Sequence, residues 1–485
     1  MIQNKTITIQ NFLSMTPEVP QGSDKNQHFL IQNSDPLYYQ GTTTQEQQVA
    51  PLIASSLFLT ALPGYVSNLN GNIVDIIPAK DGSKDVFVVT DMANVYAFPY
   101  VDYYTPTSPG PGSNPAASLT IFNDDLLLTS PNWGSPAVYR NSSTVPAIPW
   151  TNSFGTLQVL SGKRYMEPFL DFCAISVGDA SYGYGHLIKK ITSSFTITDG
   201  IDLGVNWACL GMKNFNNKYL AIAAGWKGGY TYNSNYVFLW DGISSRYNNA
   251  YKLPGRYQDM KEIGGTLYVM VLEANNQSAL YYFTGSITTG GFKRVFKVGY
   301  FTVNSGIFGN HSICNFKNYI AINNYPGLTL SGDTGFGQAK FQLTKDLIET
   351  FCMGSANTVL YGGINDQMYY YNVGGTTYNQ LDYTTQWFDI EGSLNNVKIF
   401  YETPPVAGTD AIHTSIYYET DENGTSPQAL ADITPTTYQN GKYTLLDGKG
   451  IKFTMLKLKL TTTNISTWRP IIRSIEINYT PTKAQ

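Results

Sequence analysis

Proton transfer and metal binding at neutral pH fall first to histidine, and this chain has four: His28, His186, His311 and His413. No two share a local segment, and none stands in a recognisable nucleophile–base motif. Cys173, Cys209, Cys314 and Cys352 contain no C-x-x-C pair, so no disulfide framework is implied. His311 and Cys314 lie three apart, but no second pair completes a ligand set. Most thiols sit among apolar neighbours, as in Phe172-Cys173-Ala174-Ile175, which predicts buried free thiols. Asp421, Asn423 and Thr425 have the alternating oxygens of a calcium loop, yet Ala429, Leu430 and Ala431 stand where the completing carboxylate belongs. Gly183-Tyr-Gly185 looks like half of a phosphate loop, without the βαβ pattern that would follow it. G-x-S-x-G, H-E-x-x-H and Walker A sequences are absent. The expectation is a protein that is not an enzyme, with no catalytic, cofactor-binding or metal-ligating residues.

Tyrosine is the one chemically versatile side chain in excess, 36 in 485 residues. Tyr230, Tyr232 and Tyr236, or Tyr369 to Tyr371, could stack sugars or bases. Strand packing and protein interfaces use the same rigid, amphipathic ring, and that reading is favoured. Only 14% of residues are charged, against roughly a quarter in an average protein. A coiled coil is excluded by the scarcity of Glu and Lys, and disorder by the 42% apolar content. A net charge of −4 argues against a basic nucleic-acid-binding face, though not against DNA that slides past without being held. Residues 1–10 show no basic and then apolar signal-peptide pattern, and no run of 18 apolar residues predicts a membrane-spanning helix.

The elements that would carry any site are β-strands. Residues 1–70, punctuated by Pro17, Pro20, Pro36, Pro51 and Pro63, predict an extended N-terminal arm. From about residue 71 a repeat sets in. Met212-Lys-Asn-Phe-Asn-Asn-Lys-Tyr-Leu-Ala-Ile-Ala223, Met260-Lys-Glu-Ile-Gly-Gly-Thr-Leu-Tyr-Val-Met-Val271 and Ile313-Cys-Asn-Phe-Lys-Asn-Tyr-Ile-Ala-Ile322 each join two apolar strands through an Asn/Gly turn. Val237-Phe-Leu-Trp-Asp-Gly242 and Leu280-Tyr-Tyr-Phe-Thr-Gly285 repeat the next strand. Second strands recur near 86, 125, 171, 219, 267, 319 and 358. Gaps of roughly 40 to 50 residues are the period of a propeller blade. A propeller of seven blades is therefore expected over residues 71–378, with six as the alternative because the stretch 171–200 is poorly delimited. Ser331-Gly-Asp-Thr-Gly335 carries the first half of an Asp-box turn, once and without its aromatic half.

Residues 379–485 change texture. Leu456, Leu458 and Leu460 alternate with Lys457 and Lys459, and Ile475 and Ile477 with Glu476 and Asn478, which predicts one buried and one wet face. About 100 residues in seven or eight such strands predict a C-terminal β-sandwich. The order Trp387, Val397-Lys-Ile-Phe-Tyr401, Ile416-Tyr-Tyr-Glu-Thr-Asp421, Phe453-Thr-Met-Leu-Lys-Leu-Lys-Leu460 and Trp468-Arg-Pro-Ile-Ile-Arg-Ser-Ile-Glu-Ile-Asn-Tyr-Thr-Pro481 resembles the closing β-domain of tailed-phage virion proteins. With a propeller ahead of it, the chain resembles the tail nozzle or tail-hub proteins of short-tailed bacteriophages. That resemblance implies a structural virion protein in a sixfold ring, assembled in the host cytoplasm. Portal, adaptor, other tail and fibre proteins would be its neighbours and exiting DNA its transient contact, with no membrane insertion. A carbohydrate-binding or glycan-cleaving propeller is the alternative, and it would gather acidic and aromatic side chains at the central axis.

Overall fold

The computed structural model describes the backbone of residues 3–9, 14–15, 27–32, 34–38, 47–51, 53–54, 71, 73–79, 86–90, 95–98, 102–104, 118–129, 137–142, 152–156, 165–178, 185–226, 234–274, 277–300, 313–316, 319–324, 327–333, 338–342, 352–356, 359–364, 367–378, 381–385, 387–401, 414–420, 427–433, 438–439, 443–462 and 472–482. The regular elements among them are all strands. The chain divides into two units, one of residues 1–57, 328–345 and 371–485, the other of residues 58–327 and 346–370.

The second of these is a seven-bladed β-propeller. Its inner strands, among the described residues, are Ile73–Pro78, Ser118–Phe122, Met166–Phe169, Trp207–Phe215, Arg256–Ile263, Ile313–Phe316 and Cys352–Ala356. Each lies beside the next and the last lies beside the first, so the ring closes at seven rather than six. Blades 1 to 5 are four-stranded sheets with strands in chain order. The second strands open at Val86, Asp125, Phe172, Tyr219, Thr266, Tyr319 and Val359, within one residue of the spacing expected from the repeat.

The cores lie between blades, which explains why whole strands are buried. Leu126 and Leu128 join Val74, Phe87 and Val89 in the core between blades 1 and 2. Leu127, between them in sequence, faces the other way into a core with Met166, Cys173 and Ile175 of blade 3. Val237 and Leu239 pack toward blade 5 while Phe238 and Trp240 pack toward blade 3. A blade sheet covered on both faces needs continuous apolar runs, just as a sheet covered by helices does. The tips obey turn chemistry: Asn123-Asp124, Asn216-Asn217 and Gly264-Gly265 all take positive φ between inner and second strands.

In the other unit, one sheet has the order Tyr438–Gln439, Tyr443–Asp447, Gly392–Tyr401, Ile472–Pro481, Gln47–Pro51 and Ser34–Tyr38. Lys5–Ile9 pairs antiparallel with Ile472–Pro481, from Lys5 opposite Tyr479 to Ile9 opposite Ile475. A further set of strands runs Gln338–Gln342, Ser14–Met15, Gln27–Gln32, Leu381–Thr385, Leu456–Thr462, Thr414–Thr420 and Gln428–Ile433. The expected division into an arm of 1–70, a propeller of 71–378 and a closing domain of 379–485 is corrected here. Strands of the first 57 residues belong to the C-terminal sheets, because the free edge of a strand such as Ile472–Pro481 has backbone groups that an extended, β-branched segment can pair. The expected alternation holds at Leu456, Leu458, Leu460, Ile475 and Ile477, all buried. Lys457 departs from it: it is buried too, 3.3 Å from a Glu419 oxygen and over the Trp387 ring.

Candidate functional site: the centre of the propeller

Where the inner strands converge, residues from blades 1 to 5 line a cavity of about 670 Å³. Its chemistry comes from a triplet repeated at the start of each blade: Asp75-Ile76-Ile77, Ser118-Leu119-Thr120, Tyr165-Met166-Glu167, Gly211-Met212-Lys213 and Asp259-Met260-Lys261. The middle residue is apolar and buried in every case. Its neighbours, on the opposite side of the strand, line the cavity. Register shifts between Ile73 and Asp75, Cys209 and Gly211, and Tyr257 and Asp259 mark bulges at equivalent places in blades 1, 4 and 5. A bulge re-aims the side chain that follows it.

Three carboxylates tie blades 1, 3 and 5 each to the blade that follows. Asp75 Oδ2 accepts from the Leu119 backbone N–H at 3.4 Å, and Glu167 Oε1 from that of Asn214 at 3.0 Å. Asp259 Oδ2 accepts from Ile313 N–H at 2.8 Å and its Oδ1 from Met260 N–H at 2.7 Å. The innermost strand of a blade has no further strand on its inner edge, and these side chains supply acceptors for N–H groups that would otherwise be stranded there. A hydrogen bond to a charged group contributes about 1.5–3 kcal/mol.

The second oxygen of Glu167 accepts from Lys213 Nζ at 3.1 Å, both side chains being mostly buried. Burial pulls Lys213 down, but Glu167 and the other carboxylates outweigh it, and its pKa is raised. Lys261 occupies the same place on the adjacent strand, and its pKa is lowered, by burial first and then by the neighbouring Lys213 charge. Among the described residues it makes no ion pair or hydrogen bond through its ammonium. Tyr165 and Tyr257 are buried, and burial followed by nearby Cys209 and Asp259 respectively holds both phenols well above their ordinary value. Cys209 and Cys314 are pushed up to about 12 by burial, and Cys173 is raised for the same reason. The phenols and thiols are therefore protonated at neutral pH.

The cysteines follow the expectation at Cys173, Cys209 and Cys314, which are buried and free. His186 is buried in blade 3, with Nδ1 2.9 Å from Asp202 Oδ1, away from the cavity. His311, His413, the Asp421–Thr425 stretch, Gly183, Gly335, Tyr230 and Tyr232 lie outside the described residues. Tyr236 packs edge-on against Trp207, as a strand residue should. No group of three metal-ligating side chains occurs among the described residues. Sequence reasoning missed Asp75, Tyr165, Glu167, Lys213, Tyr257, Asp259 and Lys261. The signal was present in the recurrent Met212-Lys213 and Met260-Lys261, which serve a hairpin and a cavity wall at once.

No family model and no curated protein matches the chain. Solved structures similar to it include the Dos1 propeller (11% identical, covering 71% of this chain and 84% of that one, TM-score 0.43) and a chain of the mitotic checkpoint complex (13%, 65% and 93%, TM-score 0.43). Another is the β-propeller domain of Cps50 (Swd1) from Myceliophteria thermophila (9%, 64% and 100%, TM-score 0.43). The chain's own blades, four-stranded sheets whose inner strands close a ring of seven, define its class: an all-β protein built on a propeller.

Proposed function

We propose that this protein is a structural virion protein, a ring-forming nozzle or hub component in the tail of a short-tailed bacteriophage, assembled in the host cytoplasm. The observation that carries the reading is the use of the propeller's polar centre for cohesion. Asp75, Glu167 and Asp259 each accept a backbone N–H from the next blade, a use of charge that stiffens a subunit. In this reading the other unit closes as a β-sandwich that docks portal, adaptor, tail or fibre proteins. DNA passes through the lumen of the ring, because a cavity of about 670 Å³ is the size of a small-molecule site and not of a duplex channel. A mildly acidic subunit lets phosphates slide by, since it releases few counterions from them.

A second reading, a glycan-binding or glycan-cleaving propeller, is favoured by one observation. The same centre gathers four carboxylates, Asp75, Glu167, Asp259 and Glu262, with Tyr165 and Tyr257. The mass of the purified chain in solution, alone and with virion proteins, together with negative-stain images, separates the two. Rings, or recruitment onto a tail complex, are expected. A strict monomer that joins no virion protein and binds a glycan array would overturn the tail reading.

A further inference from the structure

The triplets that line the central cavity set its wall in layers, because the first and third residues of each are two positions apart, about 6.6 Å of strand rise. The first residues are Asp75, Ser118, Tyr165, Gly211 and Asp259; the third, nearer the turns at the mouth, are Ile77, Thr120, Glu167, Lys213 and Lys261. Both lysines of the wall therefore belong to the outer layer, where Lys213 is paired with Glu167 at 3.1 Å. The inner layer holds the carboxylates of Asp75 and Asp259 and no cation. With Glu262 at the mouth, the whole wall carries four carboxylates against two lysines.

Tyr257 supplies an independent sign that this layer is built for a ligand. It lines the cavity and is only 4% exposed. Its hydroxyl stands where a side chain of Gly211 would begin, which puts it in the inner layer. Its backbone N–H reaches Asn235 Oδ1 at 3.4 Å, but the hydroxyl makes no hydrogen bond among the described residues. A tyrosine buried this deeply ordinarily has a partner for its hydroxyl. Burial, then Asp259 and Tyr165, raise its pKa, so the phenol stays neutral and its oxygen can accept. The neighbouring Lys213 shows which charge the cavity favours. Burial pulls its pKa down, yet Glu167, Asp259 and Asp75 outweigh burial and leave it raised. Asp75 and Asp259 already accept N–H groups of the strands, and each carboxylate oxygen has capacity for a second bond.

We propose that the inner layer of the propeller's central cavity binds a small organic cation through a primary ammonium group, held by Asp75, Asp259 and the Tyr257 hydroxyl. This goes beyond the assembly role and does not depend on it. An ammonium brings three donors to a layer that offers acceptors, and its charge offsets the surplus of carboxylates. The rest of the molecule extends toward the mouth, past Asn214, within a space of ligand size.

The test is titration calorimetry and thermal unfolding of the full chain with ethanolamine hydrochloride, with ethylene glycol, its uncharged counterpart in shape, and with potassium chloride at matched ionic strength. Ethanolamine should bind and raise the melting temperature, while ethylene glycol and potassium do neither. Tyr257→Phe, which removes only the hydroxyl, should weaken binding at least tenfold. Asp75→Asn, which keeps an acceptor for the Leu119 N–H and removes the charge, should do the same, and Tyr247→Phe, at an exposed tyrosine outside the cavity, should leave binding unchanged. In the wild-type protein, ethanolamine should also slow backbone hydrogen exchange in Ser118–Phe122 and Arg256–Ile263, a readout that needs no variant to fold. Absence of binding up to about 10 mM, where even a weak site stabilises by mass action, would overturn the proposal. Equal binding of ethylene glycol or potassium, unweakened binding by a folded Tyr257→Phe or Asp75→Asn protein, or unchanged exchange in both strands would overturn it as well.

Discussion

Gly211 occupies the place that Asp75 and Asp259 take in their blades, and the reason lies across the cavity wall. A Cβ at Gly211 would fall on the Tyr257 hydroxyl, so a side chain here and a buried tyrosine in the next blade exclude each other. Gly211→Ala should cost about 1–3 kcal/mol, the usual range for overpacking, read as a lower urea midpoint with unchanged slope. Asp241 makes a different kind of prediction. Burial raises its pKa, but hydrogen bonds from the Ser244 hydroxyl and N–H, the Ile243 N–H and the Asn248 amide outweigh that and hold it below the ordinary carboxylate value. A carboxyl depressed in the folded state contributes stability above its unfolded pKa and loses it as pH falls through the folded one. The melting-temperature advantage of wild type over Asp241→Asn should therefore be full at pH 7. It should shrink as the pH falls below about 4, where an unfolded Asp takes up its proton.

Single strands serve two cores at once, and that shapes what substitution does at the level of the element. Leu127 is fully buried between blades 2 and 3, while Leu126 and Leu128 serve the core on the other face. Leu127→Ala should cost about 2–5 kcal/mol, measured by denaturant unfolding, although its immediate neighbours remain packed. The tip of blade 3 is the opposite case. Leu170 sits at φ 53° and is 52% exposed, so its backbone carries strain and its side chain gains little burial. Relief of a left-handed conformation is worth about 1–2 kcal/mol, and glycine gives back about 0.4–1 kcal/mol through the unfolded chain. Leu170→Gly should thus raise stability by up to about 1 kcal/mol in the same unfolding assay.

The chain's ends meet within one sheet. Lys5–Ile9 covers an edge of Ile472–Pro481, with Ile9 fully buried and Thr480 Oγ1 bonded to Asn4. Deleting residues 1–12 removes five residues of ladder and bares a strand edge of the kind that templates aggregation. Proteolysis within residues 472–482 should then quicken at least tenfold, which corresponds to about 1.4 kcal/mol of easier opening. A truncated chain cut at the wild-type rate would show that the pairing adds nothing. The same deletion removes part of the segment, residues 1–70, that the sequence alone casts as an extended arm.

What the sequence determined by itself was local and periodic. Turn pairs such as Asn123-Asp124 and Gly264-Gly265 demand positive φ, strand stretches such as Val86-Phe-Val-Val-Thr90 demand cover on both faces, and their recurrence every 40 to 50 residues demands a ring of blades. The tertiary structure decided everything that joins distant positions. Closure at seven depends on Cys352–Ala356 lying beside Ile73–Pro78, and the pairing of the first strand with the last spans more than 460 residues. The central cavity belongs to the same class. Glu167 meets Lys213 and Asp259 meets the Ile313 N–H only because neighbouring blades bring their inner strands together. One strand's triplet shows a polar residue, an apolar residue and a polar residue; which charge faces which is a property of the ring.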